Sequence, residues 1–260
     1  MLVRSDDLII GQPAHAWVSG QLARAWGNER FPAPSPREPV CLAAEQHDVG
    51  WADADLEPLR GPDGRPLSFA EYPRPAHVAI WRDAARRLLA QSRYAALLVS
   101  LHGTSLYERW VDPDAYAPDV ATMIREFVDG QRALQGELAA GLDPAELDRN
   151  RRLLITLDGL SLALCHDRGA TLEDVPGADG PATVRVTPAG AAAAPPGVVR
   201  DDHAVPSGGA TARFVVHPWP FTAERVIVGC EARRFGASSG GDAMLAAAPW
   251  VPLRWQLSPG

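Results

Sequence analysis

Cys41-Leu-Ala-Ala-Glu45-Gln-His47-Asp48-Val-Gly50-Trp51 runs small apolar residues into a His-Asp pair and closes on Gly-Trp. On one helix, adjacent side chains project about 100° apart. One cation in the angle between His47 and Asp48 then takes an imidazole nitrogen and a carboxylate oxygen, a mixed donor set that suits divalent transition metals. A solvated helix end or a structural His-Asp hydrogen bond uses the same dipeptide, so the surrounding chain has to decide.

Two downstream segments echo each other. Leu97-Leu-Val-Ser-Leu-His102-Gly-Thr-Ser-Leu106 aligns with Leu153-Leu-Ile-Thr-Leu-Asp158-Gly-Leu-Ser-Leu162. The one strongly polar position is His102 in the first and Asp158 in the second. Both segments are apolar nearly all round, which predicts central, buried helices. A buried Asp without a partner costs several kcal/mol or takes up a proton, so Asp158 calls for a cation, an Arg or strong donors. Gly103 and Gly159 follow the polar residue directly. Glycine inside a helix costs about 1 kcal/mol relative to Ala, which close approach of another group offsets. Ser105 and Ser161 are placed to hydrogen-bond back to the turn or to support a ligand. The alternative is a pair of core helices whose polar residues bond each other, and it too brings His102 to Asp158.

From Pro13 to Trp26 the pattern is helical, with His15, Ser19, Leu22 and Trp26 on one face. That puts His15 on the buried face, where a histidine is commonly a satisfied core residue. A second helix from Pro75 to about Gln91 carries His77 and Trp81 on one stripe, and a long helix is predicted over residues 113–142. Between the first of these helices and the second, Asp53, Asp55 and Glu57 lie in a stretch dense in turn formers, read as an irregular, solvated loop. Arg149, Arg151 and Arg152 make a basic approach to the Asp158 segment, either solvated or facing an anionic substrate. After Gly169 the composition shifts. The expected organisation is a helical domain over residues 1–172, a Pro/Gly/Ala-rich linker with one strand (Thr183 to Thr187) over 173–210, and a β-rich extension over 211–260.

The bulk composition narrows the function classes. With 260 residues, 46% of them hydrophobic, one sizeable core is affordable. The net charge is -7 and all 25 basic residues are Arg. Neither nucleic acid nor an anionic membrane is an expected partner, and the lack of Lys excludes Schiff-base chemistry and a P-loop. Cys41, Cys165 and Cys230 have no Cys-x-x-Cys spacing, so no disulfide framework or thiolate zinc site is implied. No transmembrane-length run or signal-peptide profile is present, which makes the cytoplasm the expected location.

In chain order, His15, His47-Asp48, His102 and Asp158 resemble the H…HD…D signature of HD-type metallohydrolases, helical proteins that cleave phosphate esters with a divalent metal. Dinuclear members carry extra histidines before the last Asp, the interval that holds His77 and His102, and some of them are di-iron oxygenases. A closer resemblance is to an uncharacterised bacterial family, domain of unknown function 3891. It is carried by Gln12-x-x-His15-Ala16, Ser19-Gly20, Ala25-Trp26, His47-Asp48-x-Gly50-Trp51, Gly64-x-Pro66-x-Ser68-Phe69, Tyr94-Ala-Ala-Leu-Leu98 and His102, over roughly residues 1–165.

Together these resemblances imply a mainly α, HD-like helical bundle with a small β-rich C-terminal extension. His15, His47, Asp48 and Asp158 would ligate one or two divalent ions (Mn, Fe, Ni, Zn or Mg). His102 would hold a second ion or an anionic leaving group. Asp48 or Glu45 would act as base for a metal-activated water on a small anionic substrate, a phosphate ester. A di-iron oxygenase and a non-catalytic, metal-stabilised sensor are the competing expectations.

Overall fold

The computed structural model describes residues 1–4, 7–189, 211–235 and 248–260. The helical periodicities fold close to their expected bounds, as α1 (Gln12–Ala25), α2 (Arg37–Gln46), α3 (Ala52–Leu56), α4 (Arg74–Leu88), α5 (Arg93–Trp110), α6 (Pro118–Leu138) and α7 (Pro144–Cys165). Local chemistry sets several starts. Ser92 accepts from Ala95 N to cap α5, and Asp143 accepts from Ala145 N just before Pro144 opens α7. The predicted helix over 113–142 is interrupted. Asp112 accepts from Asp114 N in a single 3-10 turn, and α6 begins afresh at Pro118, which has no N–H to continue an earlier helix.

The acidic stretch after Trp51 is also more ordered than expected. Residues 52–56 form a short helix that turns Asp55 inward, where its carboxylate accepts from the Gln12 backbone N–H.

The largest departure is in the β structure. Among the described residues, β1 (Leu2–Val3), β2 (Leu8–Ile10), β3 (Ala170–Gly177), β4 (Gly180–Pro188), β5 (Ala212–His217), β6 (Val226–Arg234) and β7 (Trp250–Pro259) join into one sheet of order β1-β2-β6-β7-β5-β4-β3. The β5–β7 pairing is parallel and the others antiparallel, so the sheet is mixed, and it curls into a half-barrel. Strand makes up about 23% of the described residues against about 51% helix. The fold is therefore not a helical bundle with a small extension but an α+β arrangement. Both ends of the chain feed the sheet, since β2 from the N-terminal stretch pairs with β6. The segment read as a linker holds β3 and β4 up to Pro188, and its residues 190–210 lie outside the described residues.

Helix and sheet share one hydrophobic core. Leu22, Leu98 and Leu157 from the helices belong to the same buried cluster as Val184, Phe214, Val228 and Trp255 from the strands. α1 lies on β6, where the Gln21 amide donates to Gly229 O at 2.8 Å and accepts from Gly229 N at 3.0 Å. α7 runs back against β3, so the two outer helices are pinned to the sheet while their inner faces meet α2 and α5. No helix of the described residues is long and apolar enough to cross a membrane.

Candidate metal centre and its cavity

α2 ends at Gln46, one residue before the His-Asp pair. His47 keeps helical angles as the cap, and Asp48 leaves them (φ -101°, ψ 18°). The pair therefore sits at a bend rather than on a helix face, and the bend swings the Asp48 carboxylate towards α1. There Asp48 Oδ2 lies 2.7 Å from His15 Nε2. Asp158 arrives from α7, with Oδ1 at 3.5 Å from His47 Nε2 and 3.8 Å from His15 Nε2. Its Oδ2 lies 3.5 Å from His102 Nε2 on α5. Three imidazoles thus direct Nε2 towards two carboxylates.

The surroundings hold these rings in place. His47 Nδ1 donates to Ala44 O at 2.9 Å. His15 Nδ1 meets Ser161 Oγ at 2.7 Å, and that hydroxyl also donates to Asp158 O and accepts from Ser19. Ser161 thereby ties α1 to the turn that carries Asp158, the supporting role its spacing suggests. Gly103 sits where an added Cβ would stand 2.9 Å from Trp81, so the glycine after His102 admits an indole against the helix.

His15, His47 and His102 are each 1% exposed, Asp48 3% and Asp158 9%. His15, His47 and Asp48 form one group that can hold a metal ion, and His47, His102 and Asp158 form a second. The separations fit that role. Of the histidine–carboxylate contacts, only His15–Asp48 is a hydrogen bond, since the others span 3.5–3.8 Å. Two donors bound to one ion by bonds of about 2.0–2.2 Å at tetrahedral angles stand about 3.4 Å apart. The Nε2 of His47 is buried with no hydrogen-bond partner, as is Nδ1 of His102.

The electrostatics ask for positive charge at the same place. Burial pushes the Asp158 carboxyl up, but His47, His102 and His15 outweigh it and hold the group well below the usual carboxylate range. Asp48 is likewise lowered against desolvation by His47 and His15. Desolvation alone would depress His47, yet Asp48 and Asp158 raise it to about 9, while burial pushes His102 down to about 4. Two ionised carboxylates out of water need at least one cation between them, either a proton on His47 or a metal ion.

Four of the five, His15, Asp48, His102 and Asp158, floor a cavity of about 860 Å³ whose walls include Trp51, Trp81, Tyr107 and Trp110 and the arginines Arg74, Arg109 and Arg168, and His47 is not on its lining. All five residues expected as ligands come together in the cluster. Glu45 does not: it lies off the cavity wall on the α1 side of α2, with its carboxylate 2.5 Å from Arg24, so it is not placed to act as base. Arg149, Arg151 and Arg152 also face elsewhere, paired with Glu146, Asp148 and Asp174. His77 reaches the cavity wall without joining the cluster; its Nδ1 is 2.6 Å from the Tyr107 hydroxyl. The three cavity arginines had no signal of their own, although Arg74 stands one helical turn before His77 on α4.

No curated protein and no solved structure matches the chain. A family model described as "Protein of unknown function (DUF3891)" matches residues 1–236, which takes in the five clustered residues and every strand up to β6. The match runs well past the helical region that carried the resemblance, and the chain belongs to the DUF3891 family.

Proposed function

We propose that the chain is a metal-dependent hydrolase of a small phosphate ester. The observation that carries this reading is the buried set of three histidines and two aspartates, with Nε2 atoms convergent and that of His47 unpartnered, four members of which line the floor of an open, arginine-bearing cavity. When bound, a divalent ion supplies Lewis acidity towards a phosphoryl oxygen and acidifies a coordinated water. His15, His47, Asp48 and Asp158 hold it. The Ala44 carbonyl fixes the His47 ring so that Nε2 is the donor nitrogen. Asp48 is the carboxylate placed to take a proton, which His15 at 2.7 Å stabilises in its ionised form. His102 lines the cavity as a neutral imidazole at physiological pH and offers a hydrogen bond to the leaving oxygen.

Two candidate groups lie side by side, which admits a second reading with two neighbouring ions, a di-iron oxygenase, where His47 serves one ion through its single free nitrogen and His102 and Asp158 face the other. The experiment is elemental analysis of protein purified without chelator, alongside hydrolysis of a nitrophenyl phosphate. We expect near-stoichiometric metal that His47→Ala and Asp158→Ala largely lose, and hydrolysis that EDTA abolishes and Mn2+ restores. Iron with a mixed-valence signal and no hydrolysis would favour the oxygenase. Negligible metal in all three proteins would leave the cluster as a structural or sensing element.

A further inference from the structure

Across Trp81 from the histidine cluster, the cavity wall carries a second polar assembly. The Trp81 ring centroid is 5.8 Å from that of His102 and 6.4 Å from that of His77. Tyr107 and His77 meet at 2.6 Å through the phenol oxygen and Nδ1, and the Arg74 guanidinium, one turn earlier on α4, is a positive charge beside the same phenol. His77 is held neutral by burial and by Arg74, so the phenol donates to Nδ1 and the proton of the ring sits on Nε2. Among the described residues, no group accepts from that Nε2–H.

Arg74 is the more unusual of the two. Its Nε is buried with no hydrogen-bond partner, and no carboxylate pairs with its guanidinium among the described residues. One face of the guanidinium lies 5.5 Å from the Tyr116 ring, which leaves the edge with Nε as the unmet donor. Buried donors left without partners are rare, because each forfeits its desolvation energy. A guanidinium fork matches an oxyanion. Arg109 and Arg168 on the same wall are also without ion pairs among the described residues and add positive charge at this end of the cavity, where Glu173 and the Arg152-paired Asp174 oppose it and the cluster carboxylates Asp48 and Asp158 line the other part.

We infer that Arg74 and His77 form an oxyanion-binding station, one indole away from the metal cluster, that seats a second anionic group of the substrate, phosphate or carboxylate. The substrate is then a phosphate ester carrying two anionic groups, one at the cluster and one at Arg74. The second clause rests on the hydrolase reading, whereas the station itself does not.

Inorganic phosphate and, separately, succinate should be titrated into metal-replete and EDTA-treated protein. Calorimetry is one readout, and tryptophan fluorescence the other, since Trp51 packs 5.4 Å from His77. At least one anion should bind wild type in both conditions, and the stronger one names the group. Arg74→Gln should weaken it tenfold or more, His77→Gln several-fold, and Arg74→Lys should fall between wild type and Arg74→Gln because it restores charge without the fork. The ligand-free Arg74→Gln protein should melt no lower than wild type, since the half-buried guanidinium it loses has no carboxylate partner among the described residues and leaves its Nε unsatisfied. A clearly lower midpoint would make Arg74 a structural residue and overturn the station, as would equal anion affinity in wild type and Arg74→Gln, or no binding of either anion. Binding abolished by EDTA but kept in metal-replete Arg74→Gln would put the anion on the ion, overturning the station and leaving the metal reading intact. Arg74-dependent binding in a protein that never carries metal would support the station and end the hydrolase reading.

Discussion

Asp158 lies among Leu154, Leu157 and Leu160, each 0% exposed, so only nearby positive charge keeps it a carboxylate. If that charge is a bound dication, removing the ion removes stability. A ligand at about 100 times its Kd contributes about 2.7 kcal/mol, or about 5–10 °C of melting midpoint for a chain of this size. EDTA at neutral pH should therefore lower the wild-type midpoint by that amount and leave Asp158→Asn nearly unmoved; equal responses would remove Asp158 from the metal site. His77 gives a pH prediction with a definite sign. Its folded pKa of about 4 lies below the ordinary histidine value of 6.5, so its contribution is present above 6.5 and is lost as pH falls through about 4. The slope for one full proton is about 1.4 kcal/mol per pH unit. His77→Gln should flatten that part of the acid limb between pH 6.5 and 4, and a limb identical to wild type would show that His77 charges without cost. At this scale the clustered residues were legible, because a polar residue in an otherwise apolar helix demands a partner. Arg74 was not, since its lack of a carboxylate partner is a property of the folded cavity, and the pairing of Glu45 with Arg24 was not either, because that contact with α1 is tertiary.

At the scale of elements, the site depends on how closely α4 approaches the turn after Asp48. Gly50 lies where an added Cβ would stand 2.4 Å from Ile80 O, a backbone atom of α4 that cannot rotate away. Gly50→Ala should push α4 from the turn and cost about 1–3 kcal/mol, the range for overpacking. Because Trp81 and His77 ride on α4, anion affinity should fall with stability. A denaturant midpoint equal to wild type would mean that α4 gives way freely. The helices themselves were legible from periodicity, and α1 and α4 begin within one residue of the expected positions. The His-Asp pair was placed on one helix with the small apolar residues that run into it, but that helix ends at Gln46 and the chain tightens after Asp48 into a 3-10 turn. Much of the strand content was legible too: the strand expected at Thr183 to Thr187 lies in β4, where the buried Val184 and Val186 alternate with the exposed Arg185 and Thr187, and the β-rich stretch after residue 211 supplies β5 to β7. What stayed hidden was their union into one sheet, because β1 and β2 have only two and three residues to announce a pairing with β6, and the Pro and Gly of β3 read as linker.

For the whole molecule, the consequence of one shared core is that the helical part is not self-sufficient. A chain cut after residue 172 keeps every residue of the histidine–aspartate cluster and all seven α-helices of the described residues, so a bundle with an appended tail would survive the cut. The interlocked fold should not. β2 loses β6 and is left with β1 alone, and a two-stranded ribbon of this length is not stable by itself. Trp26 loses the Phe221 ring at 5.6 Å, and Gln21 loses both bonds to Gly229. Unburying a large aromatic costs about 3–5 kcal/mol and each hydrogen bond about 1 kcal/mol. Those losses alone approach the 5–15 kcal/mol that is typical of a folded domain's net stability, before the exposed face of α7 is counted. The truncated chain should keep helical circular dichroism, lose its cooperative thermal transition and bind less than a tenth of the metal held by the full chain. A cooperative transition near the full-length midpoint, with metal bound, would restore the helical region as an independent domain and reduce the sheet to an appendage.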